Sequence, residues 1–219
     1  MNNDFEKYLN NHRLAQNTVR TYTYTLNQYQ QKYDTLTEDN LRDYKRYLIK
    51  NFKPQTVNLR IRAINCYLES INKEKWSLSP VKVQKSTFFE NVISEADYLY
   101  FKNCLKHDGE MSWYFIVSFL AVTNANISEL VQIKAEHVSV GYLDIYSNNG
   151  KVKRIYIPAA LQHETMAWLN KIGKTSGYIF VNRHGECITT RGIAGQLKVL
   201  GSRYGLDPSV MYPRSFKMH

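Results

Sequence analysis

The apolar positions of the first seventy residues recur at helical spacing. Phe5, Tyr8 and Leu9 predict a short first helix. Val19, Tyr22, Leu26, Tyr29 and Tyr33 alternate steps of three and four, which predicts a second helix with Asn17 or Thr18 as its cap. A third begins near Thr37, with Glu38 and Asp39 in the first turn where the helix dipole favours acids, and turns Leu41, Tyr44 and Leu48 inward. Pro54 opens a fourth, with Val57, Ile61, Ile64, Leu68 and Ile71 on one face. Such stripes are the core of a helical bundle.

From Trp76 to Asn91 the periodicity stops. Ser77, Ser79 and Pro80 interrupt any helix, and Lys82 and Lys85 make the stretch basic, so it reads as a linker. Ser94 is a fitting N-cap, with Glu95 and Asp97 behind it, and helices are predicted over 94–107, 111–123 and Ile127 to about Lys134. The period then changes. Leu143 and Ile145 alternate with Asp144 and Tyr146, Ile155 and Ile157 alternate with Arg154 and Tyr156, and Asn148-Asn149-Gly150 between them suits a hairpin turn. A helix over 159–172, a short strand at Tyr178–Val181 and a helix from a Thr190 cap to about Tyr204 complete the pattern. The expected fold is mainly α with a small β-hairpin. Its parts are a helical domain over 1–75, a basic linker over 76–91 and an α+β domain over 92–219.

Charge narrows the partner. The 219 residues carry a formal net charge of +10, and 43% hydrophobic residues suffice for real cores. Residues 1–85 hold 15 Lys/Arg against 8 Asp/Glu, so the shorter first part is the more basic. A polyanion is the expected partner, nucleic acid before an anionic membrane surface. No apolar run approaches the roughly 18 residues of a membrane span, and Met1–Glu6 lacks the regions of a signal peptide, so a cytoplasmic protein is expected. Cys66, Cys104 and Cys187 are odd in number and far apart, and the histidines show no ligand spacing. Neither a disulfide framework, a metal site nor a cofactor is expected. The 17 tyrosines sit mostly on core-facing stripes and read as packing residues.

One phrase carries more than composition does. Thr123-Asn124-Ala125-Asn126-Ile127-Ser128-Glu129-Leu130 resembles the Thr-Gly-x-Arg-Ile/Val-Ser-Glu-Leu motif of the tyrosine recombinases, the phage-type integrases. Thr18-Val19-Arg20-Thr21-Tyr22, Gln55-Thr56-Val57-Asn58-Leu59-Arg60 and Ile155-Tyr156-Ile157-Pro158 are similar to phrases of the same family, and their order covers essentially the whole chain. The resemblance implies a helical core-binding domain followed by a catalytic-type domain acting on double-stranded DNA. It also implies a chemistry in which a tyrosine attacks a backbone phosphate, two arginines and a histidine neutralise the developing charge, and a hairpin lysine protonates the leaving oxygen.

This chain departs from that set. Asn126 stands at the first arginine position, where it also reads as an ordinary helix cap. Asn148 stands where the family has its lysine, with Lys151 as the candidate substitute. The later His-x-x-Arg pair falls on Arg214 and Lys217, and a lysine cannot supply the bidentate fork of an arginine. The family nucleophile would lie beyond His219, and Tyr212 is out of order for the role.

The expected function is sequence-specific duplex binding by an atypical member of a mobile element, active in integration, excision or plasmid transfer, without cleavage by this chain. One alternative is the N-terminal part of a longer nicking recombinase or relaxase-like enzyme. Another is a pseudoenzyme that modulates an active recombinase through protein contacts. Candidate DNA contacts are Asn17, Arg20 and Thr21 on the second helix; Gln55, Thr56, Asn58, Arg60 and Arg62 on the fourth; Lys82 in the linker; and Lys151, Lys153, Arg154, Arg191, Arg203, Arg214 and Lys217 in the second domain. A second copy or another recombinase is the expected partner on DNA.

Overall fold

The computed structural model describes residues 2–83, 92–146 and 152–217. It divides into two compact units, Met1–Ser86 and Thr87–His219. The first holds α1 (Asn2–Asn11), α2 (Gln16–Lys32), α3 (Glu38–Asn51) and α4 (Pro54–Ser70), then a 3-10 turn at Glu74–Trp76. The predicted stripes are its interior. Tyr29, Leu41, Tyr44, Leu48, Val57, Ile61, Ile64 and Leu68 form one cluster, and Phe5, Leu9, Val19, Leu26 and Tyr67 another. Thr37 caps α3 by accepting from the Asn40 N–H at 3.2 Å. At α2 the cap differs from expectation. The helix begins two to three residues earlier, after Ala15, so Asn17 and Thr18 lie inside its first turn.

The first part of the predicted linker is instead docked on α4. Asn65 donates to the Leu78 carbonyl at 2.9 Å and accepts from the Leu78 N–H at 2.8 Å. Asn58 does the same to Val81, at 2.9 and 2.8 Å. Positions seven apart lie on one helix face, so the two primary amides act as a pair of staples for an extended segment that has no strand partner among the described residues. Leu78 is buried between them against the α4 core. Lys85 lies outside the described residues.

The second unit is built on α6 (Met111–Val122), whose residues Tyr114–Ala121 are all buried. Around it stand α5 (Glu95–His107), α7 (Ile127–Leu130), α8 (Ala135–Val140), α9 (Ala159–Lys171), α10 (Thr190–Arg203) and a 3-10 turn at Pro213–Phe216. Strands β1 (Tyr142–Tyr146) and β2 (Val152–Tyr156) pair antiparallel, Tyr142 opposite Tyr156 and Ile145 opposite Lys153. Ser94 caps α5 as expected.

Two predicted elements change. The helix expected from Ile127 to Lys134 is four residues long, because the backbone beyond it bonds elsewhere: Ile179 N–H donates to the Ile133 carbonyl and Ala135 N–H to that of Gly177. The strand expected at Tyr178–Val181 is reduced to isolated bridges, Lys134 with Tyr178 and Val181 with Cys187. The cap of α10 is Thr189, one residue before the expected Thr190. The mainly helical fold with one small antiparallel sheet stands as read from the sequence.

The end of the described chain is fastened from three sides. Phe216 is buried beside Phe101 and Tyr98. The Ser215 hydroxyl accepts from the Ile93 N–H at 2.7 Å. Gly201 of α10 lets the Met211 side chain lie directly against the helix backbone, a space that a Cβ would fill.

Truncating either staple should cost stability. Asn58→Ala or Asn65→Ala leaves a peptide N–H and C=O without their partners, a loss of about 1–3 kcal/mol, whereas Arg62→Ala on the exposed side should stay within about 0.5 kcal/mol. Urea unfolding checks this, and an Asn58→Ala as mild as Arg62→Ala would contradict the staple.

Candidate nucleic-acid interface

In the first unit the candidate contacts fall into two groups. Asn17, Arg20, Gln55, Arg62 and Lys82 are exposed, and Thr56 is half-buried. The others serve the fold. The Thr21 hydroxyl donates to the Asn17 carbonyl of its own helix at 2.7 Å. Asn58 spends both amide atoms on Val81, so it cannot read a base edge while the staple holds. Arg60 is half-buried, donates to Gln28 and lies 3.9 Å from the Phe52 ring centre. Gln28 also accepts from the Tyr44 hydroxyl, whose pKa burial pushes up to about 12 against the opposing charge of Arg60. Arg60 thus joins α4 to α2, a weak position for reaching DNA.

The second unit gathers its polar groups at the start of α7. Thr123 ends α6 by donating to the Phe119 carbonyl at 2.6 Å. Asn124 then takes a left-handed backbone, φ 52°, which asparagine tolerates better than most side chains. Buried Ala125 follows, and Asn126 is the N-cap of α7. Its N–H donates to the Glu129 carboxylate at 2.7 Å, one half of a capping box. Its side-chain oxygen does not turn to the helix. It accepts from Lys217 Nζ at 3.0 Å, and the same ammonium donates to the Asn124 carbonyl at 3.0 Å and to Asn124 Oδ1 at 3.1 Å.

The hairpin reaches the same point. Alternation along β2 puts Lys153 on the face of buried Ile155, and Lys153 Nζ donates to Glu129 Oε2 at 2.7 Å. The Glu129 side chain is 13% exposed and that of Lys153 47%. Burial alone would raise the Glu129 pKa. The Lys153 hydrogen bond, the Asn126 N–H and the charges of Lys153 and Lys217 outweigh it and hold the carboxyl below the usual range. Lys217 is pulled down from the ordinary lysine value by burial and by the charges of Lys153 and Arg214, with Glu129 opposing.

Beside this knot lies a cavity of about 390 Å³, lined by apolar Leu120, Ala125, Ile127 and Ala194 and by Asn126, Arg191, Tyr212, Arg214 and Lys217. No acidic side chain lines it among the described residues. Three basic residues lining one cavity suit an anion with several acceptor oxygens. Two other sequence candidates are not available to it. Arg154 forms a two-point pair with Asp144 at 2.7 and 2.6 Å and lies over Tyr142, and Arg203 pairs with Glu110 at 3.2 Å. Asn148 and Lys151 lie outside the described residues. Reading the sequence missed Glu129 as the hub. Its place in a Ser-x-x-Glu-like spacing from the cap, Asn126 to Glu129, was the available signal.

Comparison with known proteins shows what the chain and its fold are similar to. Residues 1–78 match the phage integrase N-terminal SAM-like domain. The tyrosine recombinase XerA of Pyrococcus furiosus is 26% identical over 212 residues, covering 93% of this chain and 73% of that protein. The Tn1549 transposon integrase in complex with transposon right end DNA has the same fold, with a TM-score of 0.68 at 14% identity over 98% of this chain and 83% of the other. So does the lambda integrase in a tetramer bound to a Holliday junction, with a TM-score of 0.67 at 15% identity over 93% of this chain and 62% of the other. The first unit thus matches the integrase SAM-like domain, and the whole chain is similar in sequence to a tyrosine recombinase and shares the fold of solved integrases.

Proposed function

We propose that the chain is a double-stranded-DNA-binding protein of a mobile element, acting in integration, excision or transfer, and that it binds its site without cutting it at the ordinary family rate. The observation that carries this reading is the convergence of Arg191, Arg214 and Lys217 on a cavity with no acidic lining, with Lys153 tied in through Glu129. A backbone phosphate is the anion this arrangement fits. The first unit supplies the grip through Arg20, Gln55, Arg62 and Lys82, whose side chains are exposed. The relatives solved as complexes with DNA support the same partner, and assembly with a second recombinase copy on DNA is part of the proposal.

The loss of cleavage rests on Asn126. A neutral amide at the cavity rim offers no charge to a developing phosphorane, and removing one such stabilising group costs about 100- to 1,000-fold in rate. A second reading, a slow DNA-nicking enzyme, is favoured by one observation: Lys153, a potential proton donor, reaches the same knot from the hairpin. Incubation with a suicide substrate separates the two. The 219-residue chain should give no covalent DNA band in denaturing electrophoresis, and a covalent adduct would support the nicking reading.

Binding should be strongly salt-dependent, the logarithm of affinity falling against the logarithm of salt by about 0.9 per neutralised phosphate. Gel shifts across low and physiological salt measure this, and a flat profile would contradict phosphate-led binding. Arg62→Ala and Gln55→Ala should weaken a cognate site by about 1–3 kcal/mol more than random DNA, while Lys82→Ala should weaken both alike.

Glu129 gives a pH test. A carboxyl whose folded pKa lies below its unfolded value lends stability that is full above the unfolded value and is lost as pH falls through the folded one. Glu129→Gln should therefore destabilise the chain by about 1–3 kcal/mol at neutral pH, with the gap from wild type closing as pH drops below the ordinary value of 4.5. A gap that is constant from neutral to strongly acidic pH would show that the Glu129 charge does no tying.

A further inference from the structure

We propose that His137 works as a proton-operated cap: its neutral imidazole closes the start of α8 and fixes the crossing of residues 133–135 with 177–179, and a protonated ring releases both. The Lys134 N–H donates to His137 Nδ1 at 3.1 Å. Lys134 stands at the N-cap position of α8, and an ammonium has no lone pair with which to cap a helix. The acceptor at the helix start is therefore the imidazole three residues on, in the place where a capping box has glutamate or glutamine. Histidine differs from those two in one respect. A ring nitrogen accepts only while it carries no proton. An imidazolium would set N–H against N–H at the same point, beside a helix end that already disfavours positive charge.

The crossing gives the cap something to hold. Ala135 N–H donates to the Gly177 carbonyl at 2.9 Å and Ile179 N–H to that of Ile133 at 3.1 Å, while the Lys134 ammonium lies 5.2 Å from the Tyr178 ring centre. Glu136 accepts from the Gly177 N–H with both carboxylate oxygens at 3.2 Å. Two adjacent side chains thus pin one crossing, and they let go at different pH. Backbone N–H groups hold the Glu136 carboxyl below the usual range. His137 is pulled below the ordinary value of 6.5 by burial and by the Lys134 charge, with Glu136 and the Gln132 backbone opposing. Among the described residues, the other elements packed against α8 bring the Gln162 amide of α9, the Tyr142 phenol of β1 and an Asp144 carboxylate already paired with Arg154. In sequence α8 joins α7, which holds Glu129, to the hairpin that carries Lys153. The cap is independent of duplex binding.

A histidine whose folded pKa lies below its unfolded one lends stability that is full above 6.5 and is lost as pH falls from there through the folded value. Thermal unfolding of the full chain from about pH 8 to about pH 5 reads this, with wild type beside His137→Gln and His137→Ala. Glutamine keeps a neutral acceptor at the box position. His137→Gln should match wild type at the upper end and exceed its Tm at the lower, where the imidazole has let go. His137→Ala should fall below wild type at the upper end, with the gap closing toward the lower. In wild type, NMR should show the protection factor of the Lys134 amide falling about three- to tenfold over the same range, the loss of one helix cap. That fall should track the His137 ring resonance, with a midpoint below 6.5. A Tm gap between wild type and His137→Gln that does not change with pH would overturn the cap. So would a ring midpoint at or above 6.5, or Lys134 protection that ignores the ring's titration. Should either variant fail to fold, the wild-type titration decides alone: ring and amide moving together support the cap, and ring and amide moving independently overturn it.

Discussion

The carboxylate of Glu129 is the contact on which the second unit's polar site depends. It accepts from the Asn126 N–H at the start of α7 and from Lys153 on the hairpin, both at 2.7 Å. Helix cap, loop and sheet are separate in sequence, and this one group joins them. It is well shielded from water, so its two charge-assisted hydrogen bonds count for more than a surface ion pair would. Around it the chain concentrates positive charge that would otherwise repel itself: Lys153 is tied, Lys217 is cradled by amides, and Arg191 and Arg214 line the adjoining cavity. Electrostatics of this kind favours holding an anion already charged. It is less suited to stabilising charge that develops during a reaction, where a fixed guanidinium fork would be needed.

The first unit solves a different problem with the same residue type. An extended segment that leaves the helical bundle has peptide groups to satisfy and, among the described residues, no neighbouring strand. Asn65 and Asn58 supply both a donor and an acceptor at two successive points, holding Leu78 in the core and setting where Lys82 emerges. The basic face of this unit is therefore smaller than a helical wheel suggests, because Asn58 and Arg60 are occupied with the fold. The candidates that remain exposed are Asn17, Arg20, Gln55 and Arg62 with Lys82.

Elements with a clear period were legible in the sequence, since burial of an apolar stripe is what forms them: the stripes of α2, α3 and α4, the alternation of β1 and β2, and the Thr37 and Ser94 caps. The segments misread were those whose backbone finds a distant partner. Nothing local in Gln132–Lys134 announces that it bonds to Gly177–Ile179 rather than continuing α7. Polar side chains failed for the same reason. Arg154 alternates outward on its strand as expected, yet Asp144 directly across the sheet claims it. Asn126 was legible as a cap by type and spacing, but the turning of its side-chain oxygen toward Lys217, ninety-one residues away, was not.

We propose that the lysines of this knot meet backbone phosphate in the second unit. Nitrogen NMR of the lysine ammonium groups, with Lys153 and Lys217 assigned through their arginine variants, follows it directly as a duplex oligonucleotide is added. The Lys217 resonance should shift in step with complex formation, and Lys153 should shift with it through their common neighbour Glu129. Saturating duplex binding that leaves both resonances in place would contradict it.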